Sequence, residues 1–343
     1  MDEIGIGIVG SGFMGRTYAE AFTKYVKYAR LVAVTGGTRA PRLAADYGLV
    51  HVSTVEELLA RRDIAAVAVA SPHLDHARTT IMAAARGLHV LVEKPMATTE
   101  ADCSAMIEAC ERAGVNLMVA QTQRFRLVNV TARRLIEEGR IGRVLAIEET
   151  QMDTEGLAGQ PAWQARAECG GLLLAHGVHN LDRMRWLMGC EPESVFARSM
   201  AYTPASPIEM STMALFTFPR GTMGTFWCEW ECPPPGFPRS ASAARIMGER
   251  GLLDLDAYGQ LRLGNAAGWT VVCEQALIDW RGQGSLDPVR MAAYQAQGQE
   301  FVDSIREGRP PSVTGRDGRA CVRMALAAYK SSQTGQPVAL QTA

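Results

Sequence analysis

Three stretches of this chain carry side chains whose type and spacing could do chemistry. In Leu91-Val92-Glu93-Lys94-Pro95 an apolar run ends in a carboxylate, an amine and a proline. Leu88 to Val92 reads as a short buried strand, and ligands of parallel α/β sheets bind just beyond the carboxyl ends of such strands. A lysine there can donate a hydrogen bond to a reacting oxygen or take its proton. Proline fixes φ behind it and restricts the conformation of Lys94 itself. The second stretch is Gly170 to Leu187, read as a helix on which His179 and Asp182 share a face with Ala175 and Trp186, with His176 three residues before His179. An imidazole that titrates near neutral pH beside a carboxylate is an acid–base pair. His176, His179 and Asp182 could also ligate a metal, but no fourth ligand lies nearby in sequence, and no metal is expected.

The third stretch is Gly10-Ser11-Gly12-Phe13-Met14-Gly15, directly after the β-branched run Ile4 to Val9 and before helical spacing from Arg16 to Tyr28. The first glycine of such a turn permits the tight bend, the second lets backbone approach a pyrophosphate, and the third lets the helix pack on the strand. The helix N-terminus supplies N–H groups and positive dipole to the phosphates. All six residues are candidate dinucleotide contacts. An NAD-selective site carries Asp or Glu about 20 residues beyond the glycines. Here that place falls at Gly36 or Gly37, followed by Thr38, Arg39 and Arg42. Room for a 2′-phosphate, with a hydroxyl and a guanidinium to bind it, points to NADP over NAD, through Thr38 and Arg39.

The elements that must position these groups alternate strand and helix. Ala65 to Ala70 is a strand ending at Ser71-Pro72-His73, Thr79 to Arg86 a helix, Thr99 to Ala113 a helix with Thr99 as N-cap, and Val115 to Ala120 a strand. Repeated βα units with right-handed crossovers give a doubly wound parallel sheet, here a Rossmann domain over residues 1–123. Ser71, Pro72, His76, Glu93 and Lys94, at or after strand ends, join the candidate cofactor contacts. Beyond Arg126 the strands lengthen and alternate. Thr212 to Phe218 and Thr222 to Glu231 form one hairpin, and Ala243 to Met247 with Gly251 to Asp256 another. Residues 124–343 are therefore read as an α+β domain with an open, mainly antiparallel sheet. Its outer face is expected to carry Met213, Leu215, Thr217 and Phe226 or their alternates, an apolar surface that marks an interface.

A chain of 343 residues with 47% hydrophobic and 21% charged residues and net charge −1 reads as a two-domain globular protein. That charge balance argues against nucleic acid as a main partner. The longest apolar run, Ile64 to Ala70, is too short to span a bilayer. Eight cysteines without a CxxC pair, and no export signal at the start, lead to the expectation of a cytoplasmic protein with reduced thiols.

Together the glycine turn, Glu93-Lys94-Pro95, Arg124-Phe125, Gly139-x-Ile141-Gly142, the Gly-Gly…Gly-x-His-x-x-Asp helix and Thr314-Gly315-x-Asp317-Gly318 resemble the glucose–fructose oxidoreductase / inositol dehydrogenase (Gfo/Idh/MocA) family, from Ile4 to Leu340. The resemblance implies NAD(P)-dependent oxidation or reduction of a secondary alcohol or ketone in a sugar, cyclitol or related polyol, a second domain whose large open, mainly antiparallel sheet serves substrate binding and oligomerisation, and a homodimer or homotetramer. It implies that Lys94 and His179 are catalytic, and that Asp182, His176, Arg124 and Trp163 are candidates for substrate binding. Two other readings stay open: a redox-neutral enzyme that oxidises transiently and then eliminates or hydrolyses, and a non-catalytic dinucleotide-dependent binder. Four residues before the catalytic histidine the family usually has Asp or Asn, and this chain has Ala175.

Overall fold

The computed structural model describes residues 3–238 and 241–340. The chain forms two compact units, one of Met1–Thr122 with Ile278–Arg319, the other of Gln123–Leu277 with Ala320–Ala343.

In the first unit strands and helices alternate: β1 (Ile4–Val9), α1 (Phe13–Lys24), β2 (Ala29–Thr35), α2 (Ala40–Tyr47), β3 (Val50–His51), α3 (Val55–Leu59), β4 (Ala66–Val69), α4 (His76–Ala84), β5 (His89–Val92), α5 (Glu100–Ala113) and β6 (Leu117–Val119). All six strands pair in parallel, in the order β3-β2-β1-β4-β5-β6. The order reverses between β1 and β4, which opens a crevice at their carboxyl ends. Ile6, Ile8, Val67, Val69, Val90, Leu91 and Val92 are buried, as strands covered by helices on both faces require. Thr99 caps α5 by accepting from the Asp102 N–H at 3.1 Å, and Cys103 and Cys110 fill the core beneath that helix.

In the second unit α6 (Leu127–Glu137), β7 (Val144–Met152), α7 (Val178–Met188), β8 (Ser194–Met200), β9 (Ser211–Phe218), β10 (Thr222–Glu229), β11 (Ser242–Gly248), β12 (Leu252–Asp256), β13 (Gln260–Asn265) and β14 (Gly268–Glu274) follow in turn. The last elements of the chain are α8 (Pro288–Arg306), α9 (Gly315–Thr334) and β15 (Val338–Ala339). Residues 278–319, α8 among them, belong to the first unit, so the single boundary near 123 read from sequence describes only the outgoing crossing. The reason is packing. Met291 and Tyr294 of α8 cluster with Ala21 of α1, and the Arg290 guanidinium lies 4.7 Å from the Phe13 ring and 4.4 Å from the Tyr294 ring. An amphipathic pattern announces a buried face but not the surface that covers it.

The second sheet has nine strands, ordered β14-β13-β12-β11-β7-β10-β9-β8-β15. Every pairing is antiparallel except β7 with β10. One row across its inner face runs Ala197, Ala214, Phe226, Glu149, Ala244, Leu255 and Leu261, all buried. Phe226 thus faces inward, contrary to the sequence expectation, because it pairs with the buried Ala214. The outer face exposes Phe196, Met213, Leu215, Met223, Met247 and Leu252. Among the described residues no helix is long and apolar enough to cross a membrane.

Glu149 is the one carboxylate in that inner row. It meets Arg183 of α7, whose Nε lies 2.9 Å from Oε1, and both side chains have no exposed surface. Asn180 donates to Oε2 at 3.0 Å. Removing the carboxylate leaves a buried guanidinium without its anion. Glu149→Ala is expected to lower unfolding free energy by about 3–5 kcal/mol in urea denaturation. Arg245→Ala, which breaks an outer-face pair with Glu148 whose two side chains are largely exposed, should cost under about 1 kcal/mol.

Candidate active site

The glycine turn closes as its residue types require. Gly10 has φ +116°, and a Cβ there would sit 2.3 Å from the Ala70 carbonyl oxygen. A Cβ on Gly15 would lie 2.1 Å from the Gly10 carbonyl oxygen. The first bond within α1 runs from the Arg16 N–H to the Gly12 oxygen, so earlier N–H groups point out of the helix end. The Ser11 hydroxyl donates to the Gly36 oxygen at 2.7 Å and ties the turn to the end of β2. Arg39 Nη2 lies 3.5 Å from where a Gly12 Cβ would stand, which sets a cation against the turn, and Thr38 beside it is exposed. At the end of β4 the Ser71 hydroxyl is buried without a hydrogen-bond partner in the protein. A cradle that side chains would fill, a helix end and an orphaned hydroxyl fit a dinucleotide. Gly10 to Gly15, Thr38, Arg39 and Ser71 would hold it.

Two of the sequence candidates for cofactor contact also hold the structure together. His76 is fully buried, with Nδ1 2.9 Å from the Pro95 oxygen and Nε2 2.9 Å from the Ser71 oxygen. It fastens the loop after β5 to the loop after β4, and burial holds its pKa below the ordinary value. Glu93 is also buried. Its Oε1 accepts from the Tyr18 hydroxyl at 2.6 Å and its Oε2 from the Lys94 N–H at 3.1 Å. Burial raises the Glu93 pKa, and the neighbouring Lys94 charge opposes that rise. Lys94 is half-buried at the carboxyl end of β5, followed by a cis peptide to Pro95. Burial lowers its pKa and the Glu93 carboxylate raises it in part, so the net is an ammonium more acidic than usual.

In the second unit the segment before α7 is not one α-helix. Leu173–Gly177 forms a π turn, and α7 starts at Val178. The face shared by Ala175 and His179 in the sequence reading assumed α spacing throughout, and the i→i+5 turn breaks it. Ala175 is buried, whereas His176 and His179 are the two residues in Gly171–Asn180 that are not. His176 Nε2 lies 2.7 Å from Gln164 Nε2 and 3.2 Å from Gln160 Oε1, and its ring centroid is 4.3 Å from that of Trp230. Sequence reasoning missed these partners: Gln160 and Gln164 lie in a loop without periodicity, and Trp230 directly follows β10. Trp163 is half-buried in that loop, and its carbonyl oxygen accepts from the Cys169 thiol at 3.0 Å.

Asp182 and Arg124, both read as substrate ligands, bind each other. Arg124 Nε and Nη2 each donate to Asp182 at 2.7 Å in a bidentate pair, and Asp182 has no exposed surface. The Cys321 thiol reaches Asp182 Oδ1 at 3.6 Å. Asp182 is therefore placed to hold Arg124. Among the described residues no group of three or more His, Cys, Asp or Glu side chains is placed to hold a metal ion.

Comparison with known proteins adds to this geometry. Residues 4–121 match the family model described as oxidoreductase family, NAD-binding Rossmann fold, and residues 129–254 match the GFO/IDH/MocA C-terminal domain. The 2,7-anhydro-N-acetylneuraminate hydratase of Escherichia coli is 29% identical over 268 residues, 76% of this chain and 70% of that protein. The inositol 2-dehydrogenase of Streptomyces avermitilis is 27% identical over 350 residues, 99% of this chain and 95% of that one. Among solved structures, the aldose-aldose oxidoreductase of Caulobacter crescentus complexed with glycerol superposes with a TM-score of 0.84 at 26% identity, covering 98% of this chain and 100% of that one.

If Asp182 is a buried partner of Arg124, its loss acts on stability. Asp182→Asn should lower unfolding free energy by about 3 kcal/mol in urea denaturation. A variant as stable as the parent, changed only in substrate affinity, would return Asp182 to the ligand set.

Proposed function

Because the chain belongs to the GFO/IDH/MocA oxidoreductase family, we propose that it moves hydride between a nicotinamide dinucleotide and a secondary alcohol carbon of an uncharged sugar or cyclitol. The observation that carries this reading is Lys94, fixed at a strand end of an NAD-binding Rossmann unit with its ammonium made more acidic by burial. The dinucleotide supplies or accepts the hydride. Lys94 bonds the reacting oxygen, and His179 gives or takes the hydroxyl proton. His176, with the amides of Gln160 and Gln164 and the Trp230 ring, offers neutral polar partners and an aromatic face, which suit hydroxyl groups better than a carboxylate. The relative named inositol 2-dehydrogenase supports a substrate of this class. Screening cyclitols, aldoses and their keto forms, followed by absorbance of the reduced cofactor, tests the reading.

Position 175, where the family usually has Asp or Asn, is a buried alanine here, and Lys94, fixed at its strand end, is proposed to carry more of the proton handling than His179. Lys94→Ala should lower turnover by roughly two to four powers of ten. His179→Ala should cost less, with cofactor affinity intact in both. Near-normal turnover in Lys94→Ala overturns the assignment.

The cofactor is proposed to be NADP(H) at least as readily as NAD(H). Gly36 and Gly37 both have positive φ, +85° and +78°, which disfavours an acidic side chain where an NAD-selective site has one. The Arg39 cation stands at the turn instead. Arg39→Ala should weaken NADPH binding by about tenfold, near 1.4 kcal/mol, and leave NADH nearly unchanged in fluorescence titration. The exposed apolar sheet face of Phe196, Met213, Leu215, Met223 and Met247 supports a homodimer or homotetramer. A monomeric mass by light scattering at micromolar concentration would count against it.

The similarity to a hydratase favours one second reading, a redox-neutral enzyme that oxidises transiently and retains its cofactor. Net accumulation of reduced cofactor separates the two.

A further inference from the structure

The turn that delivers His176 and His179 is built on Glu209 and Tyr329. Gly170 and Gly171 enter it at φ +90° and +74°, and the π turn Leu173–Gly177 follows. The first N–H groups of such a segment have no intrahelical partners. Here the Leu173 N–H donates to Glu209 Oε1 at 2.7 Å, and the Leu174 N–H donates to the Tyr329 hydroxyl at 3.1 Å. A Cβ on Gly171 would stand 1.6 Å from Glu209 Oε2, so the glycine leaves the place that the carboxyl group occupies.

Three oxygens stand in a chain. The Tyr329 hydroxyl is 2.6 Å from the Gly170 carbonyl oxygen and 2.7 Å from Glu209 Oε1. Both gaps have hydrogen-bond length, and each needs a proton. The carbonyl has none and the tyrosine has one. The second must come from the carboxyl group. We propose that Glu209 is a positioning residue that holds the Gly170–Gly177 turn, and with it His176 and His179, as a neutral acid whose O–H donates to Tyr329 while Tyr329 donates to Gly170.

The surroundings agree. Burial pushes the Glu209 carboxyl up to about 7, although the Tyr329 O–H and the N–H groups of Leu173 and Leu172 pull it down. Tyr329 of α9 faces it and is itself held well above the ordinary phenol value by burial. Cys228 of β10 also faces it, and burial holds that thiol well above its usual range. Both neighbours stay neutral between pH 5 and 8, the window to be tested. A carboxyl whose closed-state pKa exceeds its value in water near 4.3 binds its proton more tightly when the turn is closed. Closure is therefore fully supported below the solvent value. That support is lost as pH rises from about 4.3 to about 7, by about tenfold per unit, and the loss levels off above 7, where both states have given up the proton. With the proton gone, the single tyrosine proton serves one contact and the other becomes oxygen against oxygen.

The catalytic consequence rests on the role proposed for His179, but the proton count does not. Hydrogen exchange of the full chain, read by mass spectrometry on peptides spanning 168–178 and normalised for the intrinsic pH dependence of exchange, needs no substrate. Protection should fall by about tenfold per unit between pH 5 and 6.5 and level off by pH 8. Both contacts fall on Oε1, so the amide of Glu209→Gln can serve only one of them and has no proton to lose; its protection should be lower than the acid wild-type value and flat across the range. Tyr329→Phe should be poorly protected at every pH. Wild-type protection that is flat with pH overturns the proposal, as does a Gln variant that keeps the wild-type slope. If the Gln variant does not fold, the wild-type slope alone decides. Where turnover with a polyol has been found, the Gln variant should also lose an alkaline fall in kcat near pH 7 with cofactor KM unchanged. A slope in exchange without any redox turnover would reject the proposed reaction and leave the role of Glu209 standing.

Discussion

The chemistry of the first unit depends on the bond between the Tyr18 hydroxyl and Glu93. Tyr18 stands on α1, the helix that rises from the glycine turn, and Glu93 follows the last residue of β5. One carboxylate oxygen takes the tyrosine proton and the other takes the Lys94 N–H. Gln297 donates to the same tyrosine oxygen at 3.2 Å and accepts from Thr122 at 2.8 Å. The helix that offers N–H groups to phosphates and the lysine at the strand end are thus fixed by one buried network. In a low-dielectric interior each missing link costs about 1–3 kcal/mol, because a polar group is left unsatisfied. The arrangement is stiff for that reason, and Lys94 is positioned by backbone rather than by its own flexible stem.

The second unit solves a different problem. Its helix α7 carries charged residues that are buried in the fold, where an isolated ion cannot stay. Arg183 pairs with Glu149 and Asp182 with Arg124, each without water at one or both partners. Asn180 satisfies Glu149 further, and Asn129 reaches toward Arg183. With the ions paired inward, the imidazoles are the polar groups of this segment that reach the surface. Charge on α7 is therefore mostly architecture, and the side chains available to a ligand are those that can be neutral.

Sequence alone made the first unit legible because its signals are local. The β-branched run, the glycine turn and the apolar strand before Lys94 each lie within a few residues, and the structure forms them at those places. The sheet of the second unit was legible from alternation, down to the hairpin of β9 and β10. What stayed hidden depended on distant partners: Pro95 and Ser71 on the two nitrogens of His76, and Arg124, 58 residues before Asp182, across both of its oxygens. The π turn was hidden because one extra residue in a turn leaves apolar spacing nearly unchanged over so short a segment.

Glu93 and Glu209 show why burial by itself does not set a proton. Burial raises both carboxyl groups. Glu93 has Lys94 beside it and Arg290 near enough to lower its pKa, so cations oppose the effect of burial and favour the anion. For Glu209 the opposing groups are hydroxyl and N–H dipoles, and its tyrosine partner already has a carbonyl oxygen to serve. A dipole can turn its proton elsewhere, whereas a cation cannot withdraw its charge. Glu93 therefore suits a fixed anionic anchor for a lysine, and Glu209 suits a neutral link in a chain of oxygens. The first could be suspected from sequence because its cation is the next residue. The second could not, because its partners lie 36 and 120 residues away and only folding brings their oxygens into line.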